Sequence, residues 1–324
     1  IPGSVIVEST DIKSKAVSYL VNIYVEHIYD GFEAVYHFFL INQEFLVDWD
    51  IKLITSMDMV LCKTHSALEY IKKYTANCRY IGFMSLIDSD VSTIAKNDLT
   101  DYVADTDASN NKKHKLFVHF AGRSPFKGTL SLIQAWRKVM KDKSNTSLFI
   151  TYRQLNDKFP AIKFKKEDMF QGIKCTSEDN MYHSEFLTEA EINKLRNLAD
   201  VYVCPSVAEG WGHYLVEGIL SKKLIITTKS PPMNELITKK SGILVPYKTT
   251  VPMAKFSKLS WVLPDIKACL VDVDALQEAL ITAWDMPDEK RSQMVELAYE
   301  NMTSIISDFK NNIVDLYKSF GLTI

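Results

Sequence analysis

Short apolar runs alternate with amphipathic stretches along the first third of the chain. Val21-Asn22-Ile23-Tyr24-Val25, Val35 to Ile41, Met59-Val60-Leu61-Cys62 and Arg79-Tyr80-Ile81-Gly82 read as buried strands. Between the last two, Thr64 to Tyr74 puts Ala67, Leu68 and Ile71 on one helical face. Strand, helix, strand in that order predicts a parallel sheet.

After a polar stretch rich in Asp, Asn and Lys, Asp98 to Lys113, which reads as a linker, the same alternation resumes. Leu116 to Phe120 predicts a strand, Ala121 to Thr129 a turn, Leu130 to Met140 a helix and Ser147 to Thr151 the next strand. Thr188 with Glu191 three residues on is a capping box, opening a helix whose apolar face is Ile192, Leu195, Leu198 and Ala199. A strand at Val201 to Val203 then runs through Cys204-Pro205-Ser206 into a helix that starts near Gly212. Strands at Leu224 to Thr227 and, last in the chain, Gly242 to Val245 flank the Pro231-Pro232 turn. Lys248 to Leu263 has no clean period and reads as an irregular insertion, and beyond Asp274 the pattern is helical to Phe320. The expected organisation is an N-terminal Rossmann-like domain over 1–110, a second over 111–290, and C-terminal helices over 291–324, which the family resemblance given below implies cross back to the first.

A length of 324 residues exceeds what one core usually supports, in keeping with two domains. With 47% hydrophobic and 24% charged residues the chain is globular, and a net charge of −2 excludes broad nucleic-acid binding as its main role. Five scattered cysteines without a C-x-x-C pair indicate neither a disulfide framework nor a zinc site. No apolar run nears the roughly 20 residues of a membrane span and no leader pattern opens the sequence, so a soluble, cytoplasmic protein is expected.

In an open parallel sheet, ligands bind outside the carboxyl ends of the strands. Two turns there carry telling chemistry. At the first, Arg123 and Lys127 lie beside Gly122 and Gly128, pairing a guanidinium fork and a point charge with glycines that let backbone N–H groups approach a diphosphate; a solvated basic turn is the plainer alternative. At the second, the helix start at Gly212, His213 and Tyr214 offers free N–H groups and a positive dipole end. Glu209 precedes that start and Glu217 follows it, with seven residues between them. A carboxylate accepts hydrogen bonds from vicinal hydroxyls, so the pair suits a sugar and a ribose on either side of a phosphate; a helix-terminal charge and a solvated helix position are the alternatives.

Pro205-Ser206, Glu209-Gly210-Trp211-Gly212 and Glu217 resemble the E-x7-E signature of retaining GT-B glycosyltransferases, specifically family four. Gly122-Arg123 with Lys127-Gly128 resembles that family's donor-phosphate turn. Thr227-Thr228, Pro231-Pro232-Met233-Asn234-Glu235-Leu236 and Gly242-Ile243-Leu244-Val245 look like the segments that follow the signature in a poorly characterised branch. In the first domain Asn22-Ile23-Tyr24-Val25-Glu26, Asn42-Gln43-Glu44, Cys62-Lys63-Thr64 and Ile81-Gly82-Phe83 are similar to that branch as well, so the resemblance covers about residues 20 to 246.

The resemblance implies an α/β fold of two Rossmann-like domains facing across a cleft, the first abbreviated, with Ile1-Pro2-Gly3-Ser4 as the remnant of its usual glycine-rich loop. It implies transfer of a sugar from a nucleotide-sugar to a glycan, protein or small-molecule acceptor, with retention at the anomeric carbon. Arg123 and Lys127 would hold the donor diphosphate, Glu217 the ribose and Glu209 the transferred sugar. Ser206, Gly122, Gly210, Gly212, His213 and Tyr214 would complete the donor site, with the nucleobase near Tyr182 to Ser184. Glu44 and Lys63 are the acceptor-side candidates. Neither cofactor nor metal is expected: Asp-x-Asp occurs at Asp48/Asp50, Asp88/Asp90, Asp105/Asp107 and Asp272/Asp274, in contexts too various to mark a site. A nucleotide-sugar epimerase or hydrolase on the same fold, and a catalytically idle binding module, are the rival readings.

Overall fold

The structure, a computed structural model, describes residues 19–29, 31, 33–85, 114–143, 145–153, 164, 166–257 and 261–322. The expected linker at Asp98 to Lys113 and the Ile1 to Ser4 segment lie outside the described residues. The chain divides into two units. Unit 1 comprises Ile1–Met84, Met253–Ile266 and Ser304–Ile324, and unit 2 comprises Ser85–Pro252 and Lys267–Thr303.

Unit 1 is built on four parallel strands in sequence order, β1 (Tyr19–Val25), β2 (Ala34–Leu40), β3 (Met59–Cys62) and β4 (Cys78–Tyr80). Helix α1 (Asp48–Ile54) joins β2 to β3, and α2 (His65–Ile71) joins β3 to β4. The polar-to-apolar switch at Thr64 is the α2 cap, its hydroxyl accepting from Ala67 N at 3.1 Å. One core cluster consists of Phe38, Leu40, Leu61, Ile81 and Leu316, so a C-terminal residue completes a core begun near the N-terminus. Asn312 Nδ2 donates to Ile81 O at 3.1 Å and Phe320 lies against Tyr36 and Phe38. The Met253–Ile266 segment adds a second return, through the Val47–Val262 bridge and Leu263 N donating to Leu46 O.

Asp50 is fully buried and acts as the hub of this unit's first loop. Its carboxylate accepts from Ile28 N at 3.0 Å and Val47 N at 3.3 Å and pairs with His27 Nδ1 at 3.0 Å. Replacing Asp50 with Ala strands two backbone donors, and the expected cost is about 3 kcal/mol, measured by chemical unfolding.

Unit 2 carries an eight-stranded sheet among the described residues. Its parallel centre consists of β5 (Lys115–Gly122), β6 (Thr146–Tyr152), β10 (Val201–Cys204), β11 (Leu224–Thr228) and β12 (Ile243–Val245). The predicted strands fall here. The pattern misses the edge, where β7 (Lys166–Phe170), β8 (Ile173–Glu178) and β9 (Met181–Ser184) form an antiparallel meander, with β9 then parallel to β6. Helices α3 (Thr129–Val139), α4 (Glu189–Leu198) and α5 (His213–Leu220) follow β5, β9 and β10. The capping box at Thr188 and Glu191 is present at the start of α4.

Two readings need correction. Gly242 to Val245 is not the last strand, and Lys248 to Leu263 is not simply irregular. After the short helix α6 (Met233–Leu236) and β12, an antiparallel pair β13 (Tyr247–Pro252) and β14 (Lys267–Val271) brackets the helix α7 (Met253–Ser257). The exposed side chains of Tyr247, Lys248 and Thr249 give β13 no buried face and hence no alternating pattern to read. Helices α8 (Val273–Asp285) and α9 (Asp288–Ser319) end the chain, and the unit boundary falls within α9. No helix among the described residues is long and apolar enough to cross a membrane.

Candidate functional site

The carboxyl ends of β5 and β10 are neighbours in the sheet, so the turns that follow them meet. Gly128 shows how closely. Its φ of +70° is left-handed, and a Cβ there would stand 2.0 Å from Pro205 O, a space open only to glycine. Val207 N also donates to Phe126 O at 2.8 Å, stapling the basic turn to the stretch before α5.

This contact brings Lys127 to Glu209, two residues 82 positions apart in sequence. Lys127 Nζ lies 2.6 Å from Glu209 Oε1, with the two side chains 17% and 9% exposed. Ser206 Oγ donates to the same Glu209 oxygen and lies 2.6 Å from the Tyr214 hydroxyl. The Lys127 ammonium also sits 4.1 Å from the centre of the Tyr214 ring. Behind these side chains burial holds the Cys204 thiol and the Tyr214 phenol well above their ordinary pKa values, so both are neutral at pH 7.

His119 ties the assembly from beneath. A backbone carbonyl can only accept, so Nδ1–H donates to Val203 O at 2.7 Å, leaving Nε2 to accept from the Thr129 hydroxyl at 2.9 Å. Burial pushes its pKa down to about 4, against the opposing Val203 hydrogen bond, while the Lys127 charge lowers it further. The unfolded chain therefore binds the extra proton first as pH falls. Stability conferred by neutral His119 is full above pH 6.5 and is lost between there and about pH 4, a change of about 3 kcal/mol. Urea unfolding at pH 7 and 4.5 should show that loss, and His119→Gln should flatten it.

The second carboxylate lies in a different setting. Glu217, on α5, lines a pocket of about 500 Å³ together with Gly122, Thr151, Arg153, Glu185, Leu187 and Arg196. Arg196 Nη2 lies 3.4 Å from Glu217 Oε2. Burial raises the Glu217 pKa, and the guanidinium of Arg196, with a smaller effect from Lys127, acts against it. Gly122, at φ +60° with open space where a Cβ would stand, lets the backbone edge the pocket.

Sequence reading did not find Arg196 or Arg153. Arg196 lies on an otherwise ordinary amphipathic helix, and only the sheet order brings it to Glu217. The pocket wall is formed by Glu185 and Leu187, just beyond Tyr182 to Ser184. Tyr182 instead packs on Phe170, and His183 bonds Tyr152 O at 2.9 Å.

The remaining predicted residues are dispersed. Arg123 is exposed on the turn after β5, outside the Lys127 network. Gly210 is buried in the turn, and Gly212 caps α5 at φ +95°. Leu215 N and Val216 N make the first helical hydrogen bonds, both to Gly212 O. His213 is exposed and its Nδ1 lies 2.8 Å from Ser85 Oγ. Glu44 and Lys63 are buried in unit 1.

Residues 104–254 match the family model described as glycosyl transferases group 1, and together with the fold this supports a GT-B glycosyltransferase. No curated protein matches the chain. A glycosyltransferase from Rickettsia africae ESF-5 is similar at a TM-score of 0.61 and 14% identity, over 87% of this chain and 70% of that one. Anabaena Alr3699/HepE, solved in complex with UDP and glucose, gives 0.58 at 13% identity over 88% and 72%. Sucrose-phosphate synthase from Thermosynechococcus elongatus gives 0.57 at 13% identity over 89% and 68%. At these identities the likeness is one of fold.

Proposed function

We propose that the chain transfers a sugar from a nucleotide-sugar donor to an acceptor with retention of anomeric configuration, without a metal ion, in the cytoplasm. The observation that carries this reading is the meeting of Lys127, Ser206, Glu209 and Tyr214 beside the Glu217 pocket. It gives the ribose, the diphosphate and the transferred sugar of a nucleotide-sugar partners of fitting chemistry. Glu217 would accept from the ribose hydroxyls at the pocket wall, and Glu209 from hydroxyls of the transferred sugar. Lys127, with Arg123 on the same turn and the α5 N-terminus opposite, would neutralise the diphosphate.

Retention follows if the leaving diphosphate itself takes the acceptor's proton on the face it departs from. The protein then holds acceptor and leaving group on the same face of the anomeric carbon and stabilises the charge that grows on the leaving oxygen. Lys127 suits that task because its ammonium has three donors and Glu209 uses one of them. The UDP bound by Anabaena HepE makes a uridine nucleotide the first donor to try.

The test is to incubate the chain with UDP-glucose and GDP-mannose, with and without a panel of sugars, and to follow the anomeric protons by NMR. The expected result is an acceptor-dependent product with the donor's anomeric configuration. Donor consumption that ignores the acceptor would point to an epimerase or hydrolase. Nucleotide binding without turnover would point to an idle module, and an inverted product would overturn retention.

A further inference from the structure

Glu217 is held at one oxygen only. Arg196, on α4, places Nη2 3.4 Å from Glu217 Oε2. Glu217 Oε1 has no protein partner among the described residues, and both side chains line the pocket. Nη1 of the same guanidinium donates to Asn193 Oδ1, one turn back on α4. Nε is buried without a partner among the described residues. The next carboxylate, the exposed Glu189, comes only to 4.0 Å from Nη1.

Arg196 is 6% exposed, and within α4 only Leu195 is buried with it. Taking a guanidinium out of water is costly, and an ion pair in such a place often stabilises a fold no better than apolar side chains of the same volume. A donor left unpaired adds to that cost. Folding alone therefore gives no reason for an arginine here, whereas the shape of the contact does. The planar fork is fixed at Nη1 by Asn193, and its second arm reaches Glu217. With Oε2 engaged in this way, Oε1 is the oxygen left for a ligand. Burial also raises the Glu217 pKa, and the Arg196 guanidinium acts against that rise, favouring the charged acceptor.

We propose that Arg196 is a positioning residue of the donor site. It anchors Glu217 by Oε2, so that Oε1 is presented to the ribose hydroxyls, and it thereby sets the preference of the site for ribonucleotides over 2′-deoxyribonucleotides. Asn193 supports it by holding the far arm of the fork. Arg196 acts through Glu217 and not on the nucleotide itself, so its loss changes which sugar is preferred without weakening the grip on base or diphosphate. This inference rests on the reading of Glu217 as the ribose partner, and its test separates the two.

The experiment is a thermal-shift titration of the full chain with UDP, GDP and ADP and with the 2′-deoxy counterpart of each. Loss of a hydroxyl bonded to a charged carboxylate should weaken the nucleotide that protects the wild type by about tenfold or more. Arg196→Met keeps an unbranched, apolar stem but no donor. There the ribonucleotide should bind no better than its 2′-deoxy form, whose own affinity stays at the wild-type level. Arg196→Lys restores a cation without the planar fork, and its preference should lie between the two.

An undiminished preference in either variant overturns the proposal, and the lysine variant alone decides it where the methionine variant does not fold. An equal fall in the affinities of the ribo and 2′-deoxy forms also overturns it, since Arg196 would then be structural or would hold the phosphates itself. A wild type that none of the three nucleotides protects contradicts the donor reading, and one that binds ribo and 2′-deoxy forms alike contradicts the ribose role of Glu217. A wild-type preference that survives both substitutions contradicts this inference alone.

Discussion

Glu209→Gln is expected to lower sugar transfer by about 10²–10³-fold while leaving nucleoside diphosphate affinity unchanged or slightly higher. The substitution keeps the size and most of the hydrogen-bonding shape of the side chain, so the turn should stay folded. It removes the negative charge that lies 2.6 Å from Lys127 and accepts from Ser206. Released from that pair, the ammonium is free to turn fully toward a diphosphate, which favours the nucleotide. The transferred sugar, in contrast, loses a charged acceptor for its hydroxyls, and with it the alignment of its anomeric carbon. Donor kcat/KM and calorimetric UDP affinity, measured side by side, separate the two effects. A parallel fall in both would place Glu209 on the nucleotide and contradict the division of labour between the two carboxylates.

Gly128→Ala should have the larger effect on folding. The new methyl group cannot stay 2.0 Å from Pro205 O, so the basic turn or the turn after β10 must move. Left-handed backbone at an alanine costs about 1–2 kcal/mol, and forcing the packed turns apart about 1–3 kcal/mol more. For a unit of this size a melting temperature lower by roughly 10 °C is expected. Transfer should fall below detection, because moving the turn separates Lys127 from Glu209. Gly122→Ala is the control: with φ +60° but open space at the Cβ position, it should show only the backbone cost. Differential scanning calorimetry on both variants distinguishes a steric contact between the turns from a general intolerance of alanine.

These two residues also show what the sequence made legible and what it did not. Local devices were readable: the Thr188/Glu191 box, the helical face of Ala67, Leu68 and Ile71, the glycine-rich turn after β5 and the paired glutamates around α5 are written within a few residues of one another. Contacts set by strand order were not. Lys127 meets Glu209, and Arg196 meets Glu217, only because β5 and β10 are neighbours and α4 packs beside them. The missed meander over β7 to β9 is built from short strands such as Lys166–Phe170, where three charged residues precede two apolar ones and no alternation shows. The return of Met253–Ile266 and Ser304–Ile324 to unit 1 leaves no local mark at all, since a helix such as α9 has the same period whichever core it covers.

A nucleotide thermal-shift panel is the most direct measurement of the donor site. UDP, GDP and ADP are tested against the wild type and Glu217→Ala, at a pH well above the raised Glu217 pKa so that the carboxylate is ionised. At about 100 times its dissociation constant, the matching nucleotide should stabilise the wild type by roughly 2.7 kcal/mol. Glu217→Ala should lose most of that protection, and the wild type should lose it as pH falls and Glu217 takes up its proton. A wild-type melting temperature that none of the three nucleotides raises would contradict a nucleotide-sugar site in this chain.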